Sequence, residues 1–507
     1  MPKKAKWPVS ASLNSWGGEV LALASGATLN LAFAPYRHLA VVPLVLALCY
    51  GLVRAVSRLR AALRGFLLGV GLFAFGVPWI YLTLARFGGM PSPVAVIACG
   101  LFVAVLSAYI ALVAAVFAVL RRGDGFDPWL FAALWVMGEW VRNVFLTGFP
   151  WFDLGYAASA APWVSWAPIA GVLGLSFILA LAGALLFEAA CGRWRGLWPL
   201  VLFLIATPFV ARIRFVRRTE TPVTASLVQG DISPYAKWDP RERRAIIHRY
   251  LRLTRQGDGR LVIWPETAVP GYSHSLRRRF IPFLRHLARI DHRHFLFGLV
   301  EGNPDRVNEP IYNAVMSVGR HDGVYRKRHL VPFGEYLPWP SLFDPILRVL
   351  HIPMSGFTPW RGREAPLVVS GADLGMSICY EIAYGSIVTQ ALPSATLLVN
   401  VSDDSWYGHS HEASQQLQIA QLRAAEAGRD LLIATNDGMT ALVTHRGHIS
   451  VRLPPFRPGV LTVVAEPYRG LTPYDRIGND GVLAFVSLIG LIAARRWTRD
   501  RHRRRGS

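Results

Sequence analysis

Leu374-Gly375-Met376-Ser377-Ile378-Cys379-Tyr380-Glu381 is a short apolar run that stops on a thiol and a carboxylate. Residues 374–378 read as a strand, and the residue just past a strand end is where layered α/β folds carry chemistry. The pattern repeats outward in both directions. Strands are predicted over 223–228, 261–264, 294–299, 314–318, 396–401 and 431–434. Amphipathic helices are predicted over 240–255, 276–290 and 410–428. Strands alternating with helices predict an α/β layered domain over 219–470. Several of these strands are continuously apolar, as expected when both sheet faces are covered. Polar residues mark their ends or interrupt them: Glu266 after Trp264-Pro265, Cys379 after Ile378, and Asn400 within its run.

The rest of the chain is of another kind. Of 507 residues 52% are hydrophobic and only 17% charged, too apolar for an ordinary soluble protein. A membrane-spanning helix needs about 20 mostly apolar residues. Seven stretches qualify before residue 215, at 18–35, 39–56, 64–85, 93–120, 128–147, 163–190 and 196–213, and an eighth lies at 478–494. The expected order is an N-terminal membrane domain over 1–215, the polar domain over 219–470, a C-terminal span over 478–494 and a basic tail over 495–507. The net charge of +22 is mostly arginine beside apolar runs, which points to lipid headgroups and topology and not to nucleic acid. Loops on the N-terminal side, starting with Lys3, Lys4 and Lys6 and including Arg64, hold 18 cations against 2 on the other side. That bias predicts cytoplasmic termini and an extracytoplasmic polar domain. Within the fifth span Glu139 and Arg142 stand three apart, which suits either a neutralising ion pair or a functional site. The aromatic segment that follows, Gly148-Phe149-Pro150-Trp151, suits the headgroup level of the outer face.

Cys379 is the only cysteine of the polar domain; Cys49, Cys99 and Cys191 lie in or beside apolar stretches. A thiol nucleophile needs a base and an oxyanion donor. None of the domain's histidines sits in a recognisable cysteine-protease setting. His409-Ser410-His411-Glu412 resembles a metal motif, but HExxH fails at Gln415, so no metal is expected. No GxSxG and no phosphate-binding P-loop occurs. Carboxylates and a lysine remain, and the domain has just two lysines, Lys237 and Lys327. A compact ammonium suits an oxyanion better than a planar guanidinium does. Taken singly, Glu266 reads as a helix N-terminal carboxylate and Lys327 as a surface charge.

Taken together these residues match a family. The polar domain resembles the nitrilase superfamily of carbon–nitrogen hydrolases, whose catalytic set is Glu, Lys and Cys in that order. The whole chain is similar to the apolipoprotein N-acyltransferase family. The resemblance rests on the spans, the Gly-Phe-Pro-Trp segment, Val228-Gln229-Gly230 with Lys237-Trp238, and Pro265-Glu266-Thr267-Ala268. It continues through Lys327-Arg328-His329-Leu330-Val331-Pro332-Phe333-Gly334-Glu335, the Cys379 run, the loop from Asn400 to Gly408, and Asn436-Asp437-Gly438.

The resemblance implies a multi-pass α-helical membrane domain joined to an αββα sandwich. It makes Glu266 the general base, Lys327 the oxyanion partner and Cys379 the acyl-carrying nucleophile. Glu335 and Glu381 match supporting acidic positions, and Trp238 and Tyr380 match aromatic positions that line or gate the site. It implies a phospholipid acyl donor, a diacylglyceryl-lipoprotein acceptor, no cofactor, a monomer and a place in the bacterial inner membrane. Apolar residues at 339–343 and 352–357 and Trp360 are expected to face lipid. The chain departs from the family at Asp403-Asp404-Ser405, where Asn-Asp-Ala is common, and at Ile433. The remaining alternatives are a membrane-tethered amidase, in which water resolves the thioester, and a transporter or assembly protein.

Overall fold

The computed structural model describes residues 16–160, 162–219, 221–306, 309–349, 356–369 and 371–505. Lys3, Lys4, Lys6 and residues 352–355 lie outside that set. The chain divides into two compact units.

The first unit takes in the described residues up to Pro78, then Pro93–Ile213, then the chain from Ile477 onward. Among the described residues four helices are by length and composition long and apolar enough to cross a membrane: Arg58–Gly76, Ser92–Leu120, Pro162–Ala190 and Asp480–Arg503. Val41–Arg54 and Trp194–Val210 are apolar but shorter. The span expected over 64–85 stops at Gly76, with Val77 outside helical geometry at φ −121°. The cause is Pro78, whose ring disfavours the α conformation at the residue before it.

Charges inside this unit are paired, some differently from expectation. Arg64, counted above among loop cations, is buried, bonded to the Leu52 carbonyl at 2.7 Å and Glu19 at 3.3 Å. Glu139 and Arg142 each bond directly to other partners. Glu139 accepts from Trp135 Nε1 at 2.8 Å and the Leu154 N–H at 2.9 Å. Arg142 pairs with Asp153 at 2.5 Å. Both residues therefore pin the segment after their own helix. Trp151, Phe152 and Tyr156 of that segment are buried within the unit.

The second unit combines Arg214–Arg476 with Trp79–Ser92, a stretch that sequence order places among the spans. Trp79 Nε1 donates to Gln415 at 3.1 Å, Thr83 Oγ1 donates to the Trp406 carbonyl at 3.0 Å, and Tyr235 OH donates to the Arg86 carbonyl at 2.6 Å.

Two six-stranded sheets form the centre of this unit. One runs Gly459–Ala465, Val223–Gln229, Leu261–Ile263, His294–Glu301, Tyr312–Val318, Gly323–Arg326 in spatial order. The other runs Ile449–Arg452, Ala441–Val443, Leu431–Thr435, Leu397–Ser402, Ala372–Ile378, Leu367–Val369. The middle strands of each are parallel and the flanking ones antiparallel. All seven strands expected from sequence are present; the unforeseen ones are the short or outer strands that complete the sheets. Helices Arg243–Thr254 and Phe280–Ile290 cover the first sheet, with Tyr250 stacked on the fully buried Trp264 at 5.2 Å. Helix Phe280–Ile290 buries Ile281, Leu284 and Ala288, one face at helical spacing. Helix Glu412–Ala427 lies against the second sheet and ends at Gly428, whose φ of +57° is the left-handed stop glycine provides. The result is the αββα sandwich.

Candidate active site

Register brings the candidate residues to common sheet edges. Ile378 is level with Val401 and Thr435 with Ser402, so Cys379, Asp403 and Asn436 all emerge at one end of the second sheet. In the first sheet Ile263 is level with Leu296, which places Trp264-Pro265-Glu266 beside the strand His294–Glu301. Gly298 makes that approach possible. A Cβ there would lie 2.3 Å from Thr267 N and 2.6 Å from Glu266 Cα, both backbone atoms. Gly298→Ala should therefore displace Glu266, lowering activity at least tenfold and stability by roughly 1–3 kcal/mol. Turnover and thermal unfolding together check this; an unchanged rate would show that the approach is not needed.

Glu266, Lys327 and Cys379 are all buried, so neither single-residue reading from sequence, helix-end carboxylate or surface charge, holds. Lys327 Nζ lies 3.3 Å from Glu266 Oε1 and 2.9 Å from Glu335 Oε2. Asn313 binds both carboxylates, at 2.6 Å to Glu266 and 2.7 Å to Glu335, and its carbonyl accepts from the Lys327 N–H at 2.8 Å. Glu335 also closes its own loop by accepting from the Val331 N–H at 2.8 Å. Burial opposes charge on Lys327, but Glu266 and Glu335 outweigh it and hold the ammonium charged well above its ordinary range. Burial pushes Glu266 up; Lys327 opposes this, and Glu335 and Asp403 add to it. Burial also pushes the Cys379 thiol up, reinforced by Glu266 and opposed by Lys327. The surroundings of Cys379 thus favour its thiol form over the thiolate.

Cys379 has φ +51°, left-handed geometry that a non-glycine residue adopts at a cost of about 1–3 kcal/mol. Glu381 holds this turn. One oxygen accepts from the Ile378 N–H at 2.8 Å and Tyr325 OH at 2.9 Å. The other accepts from the N–H groups of Arg328 at 2.7 Å and His329 at 3.1 Å. One fully buried carboxylate thus fastens the Cys379 turn to the Lys327 loop. Tyr380 is buried, and its hydroxyl accepts from Tyr384 OH at 3.1 Å. Trp238 is 47% exposed. Trp360 is half-buried: Arg326 sits 4.5 Å above its ring and its main-chain N–H donates to the Lys327 carbonyl. Phe333, Trp339 and Leu342 are exposed.

Sequence reasoning passed over Lys237, which is completely buried and ion-paired with Asp403. Its signal was present: it is the other lysine of an arginine-rich domain. Asp404 and Asp437 are also buried, and burial lifts their carboxyls to about 7 and about 8. Folding therefore favours their protonated forms, and stability falls as pH rises from about 4 through these values. The unfolding midpoint should be lower at pH 8 than at pH 5, by a smaller margin in Asp404→Asn; an equal margin would remove Asp404 from the account. Among the described residues no group of three or more His, Cys, Asp or Glu is arranged to hold a metal ion.

The family model described as apolipoprotein N-acyltransferase N-terminal domain matches residues 25–185, and that of carbon-nitrogen hydrolase matches residues 224–466. An apolipoprotein N-acyltransferase of Nitrosomonas europaea is 37% identical over 487 residues, 94% of this chain and 97% of its own. The chain belongs to the apolipoprotein N-acyltransferase family. A second member, from Methylococcus capsulatus, is 35% identical over 94% of this chain and 96% of its own. Among solved structures, a CN-hydrolase superfamily protein of Xanthomonas campestris covers 48% of this chain and 91% of its own, at 17% identity and TM-score 0.36. As a member of the apolipoprotein N-acyltransferases the chain is a bacterial membrane enzyme. Its family has two matched parts, one helical and apolar and one bearing the αββα sandwich.

Proposed function

We propose that this enzyme moves a fatty acyl group from a membrane phospholipid to the N-terminal amine of a diacylglyceryl-cysteine lipoprotein, through a thioester on Cys379. The observation that carries this reading is the buried set in which Lys327 touches Glu266 and electrostatically favours the Cys379 thiolate. Cys379 is the nucleophile, Glu266 the general base, Lys327 the oxyanion partner, and Glu335 and Glu381 hold the set in place.

In the first half-reaction Glu266 takes the thiol proton and Cys379 Sγ attacks the ester carbonyl. Negative charge on the carbonyl oxygen forms beside the Lys327 ammonium. The C–O bond breaks, the proton passes from Glu266 to the leaving oxygen, and a lysophospholipid departs. In the second half the acceptor amine attacks the thioester and Glu266 takes a proton from it; as the C–S bond breaks Glu266 passes that proton to Cys379 Sγ, which returns the thiol and the carboxylate. Splitting the exchange in two predicts ping-pong kinetics.

The cation bias of the loops supports an inner-membrane protein with seven spans before the catalytic domain, an eighth after it, cytoplasmic termini and the catalytic domain outside. Exposed Phe333, Trp339 and Leu342 suit lipid contact. Extracting an acyl chain of about 16 carbons into water costs on the order of 10 kcal/mol, which favours working at the bilayer surface. Intact-mass measurement after exposure to phospholipid tests the reading. An adduct of one acyl group, stable in water and discharged by a diacylated lipopeptide with a free amine, is expected. Rapid discharge by water alone would favour an amidase.

A further inference from the structure

Lys237 sits at the end of the turn Pro234–Lys237 with none of its surface exposed. Its ammonium meets the Asp403 carboxylate and lies 3.4 Å from both the Glu266 carbonyl and Thr267 Oγ1. Asp403 reaches the same residue from the opposite sheet, its main-chain N–H donating to Glu266 Oε2 at 3.0 Å. The free oxygen of Asp403 accepts from Ser405 Oγ at 2.6 Å and Asn436 Nδ2 at 2.9 Å. Asp403 and Ser405, two residues apart, therefore bond directly to each other. The serine supplies a donor that the buried Asp403 carboxylate requires.

We infer that the Lys237–Asp403 ion pair is a positioning device for Glu266, gripping its main chain from one side and its carboxylate from the other. The inference rests on reading Glu266 as the general base. Buried charges of this kind are tolerated when paired and bonded, and breaking one partner leaves the other uncompensated. Thr267, the next residue, has φ +45°, so the Glu266 loop is held in a conformation it would otherwise relax from.

Glu266 faces Lys327, Glu335 and Asn313 from one side, Asp403 and Asp404 from the second sheet, Lys237 from the turn, and the Cys379 thiol. The two members of the pair carry opposite charge, so their removal has opposite electrostatic consequences. Asp403→Asn takes a negative charge from beside Glu266 and eases its ionisation. Lys237→Met takes the positive charge and leaves Asp403 unopposed. A merely structural role would shift neither.

The test is kcat/KM against pH for the full-length enzyme in phospholipid nanodiscs with a diacylated lipopeptide. The acid limb should move up by about one pH unit in Lys237→Met and down by about one in Asp403→Asn. Lys237→Met should also lose roughly 10–100-fold in kcat/KM, from misplacement of the base. Lys237→Met/Asp403→Asn should return the limb towards that of the wild type and recover at least tenfold in rate. Shifts of the same sign, or a double variant no faster than Lys237→Met, would overturn the pair. If Lys237→Met does not fold, Asp403→Asn decides alone: a downward limb supports the pair and an unmoved limb overturns it. Glu266→Gln separates the layers. If it forms acyl-enzyme at the wild-type rate, the base assignment fails and the inference with it. If it is inactive while the limbs of the other variants coincide, only the pair fails.

Discussion

Cys379→Ala is expected to leave no acyl adduct after any length of exposure to phospholipid, with the fold intact. The substitution keeps the Cβ and changes no main-chain hydrogen bond. The turn stays fastened by Glu381, which accepts from Ile378, Tyr325, Arg328 and His329. The unfolding midpoint should therefore move by only a few degrees. The remaining cysteines cannot substitute: Cys49, Cys99 and Cys191 all belong to the helical unit. Loss of a nucleophile in such a set costs roughly six orders of magnitude in turnover. Intact-mass and turnover measurements on the purified variant decide the point. An adduct of normal yield in Cys379→Ala would move the chemistry elsewhere and sink every thiol mechanism.

Lys327→Met should slow acyl-enzyme formation by at least two to three orders of magnitude near neutral pH. Two effects add. Removing one oxyanion donor costs about 10²–10³ in rate. The second effect falls on the base. Lys327 lies between Glu266 and Glu335, and it is what opposes the upward push of burial on Glu266. Without it, two carboxyls share a site with no cation between them, and one must hold a proton. Single-turnover acylation should therefore be partly restored by raising the pH, and partly by adding Glu335→Gln. A loss below tenfold, or a loss that ignores pH, would show that Lys327 serves neither the oxyanion nor the base.

Much of this site was legible as sequence because its key residues follow strands. An apolar run that ends on a functional group announces both the sheet and the position, as at Ile378-Cys379 and Trp264-Pro265-Glu266. Lys327 was legible by scarcity and by its motif. What sequence could not give were partnerships across long separations. Asp403 meets Glu266 from the opposite sheet, and Lys237 meets Asp403. Glu381 ties two loops more than fifty residues apart in the chain. Glu139 and Arg142 misled for the same reason: helical spacing suggested a pair, but each found a better partner in the segment beyond the helix. The break after Gly76 was hidden because the apolar run continues through Pro78 without a change in composition.

Trp79–Ser92 belongs to the compact unit that contains Cys379, yet it is encoded among the first helices. The catalytic unit is therefore discontinuous along the gene. A polypeptide begun at residue 219 would lack Trp79, which bonds Gln415 and meets the Tyr407 ring edge to face, and Thr83, which bonds the Trp406 carbonyl. The indole and hydroxyl that now cover those groups would be replaced by solvent. Excising the sandwich as a free-standing soluble enzyme would thus remove one of its own walls. Supplying residues 79–92 in trans, or grafting them through a linker, is the condition under which such a fragment regains the contacts of that stretch.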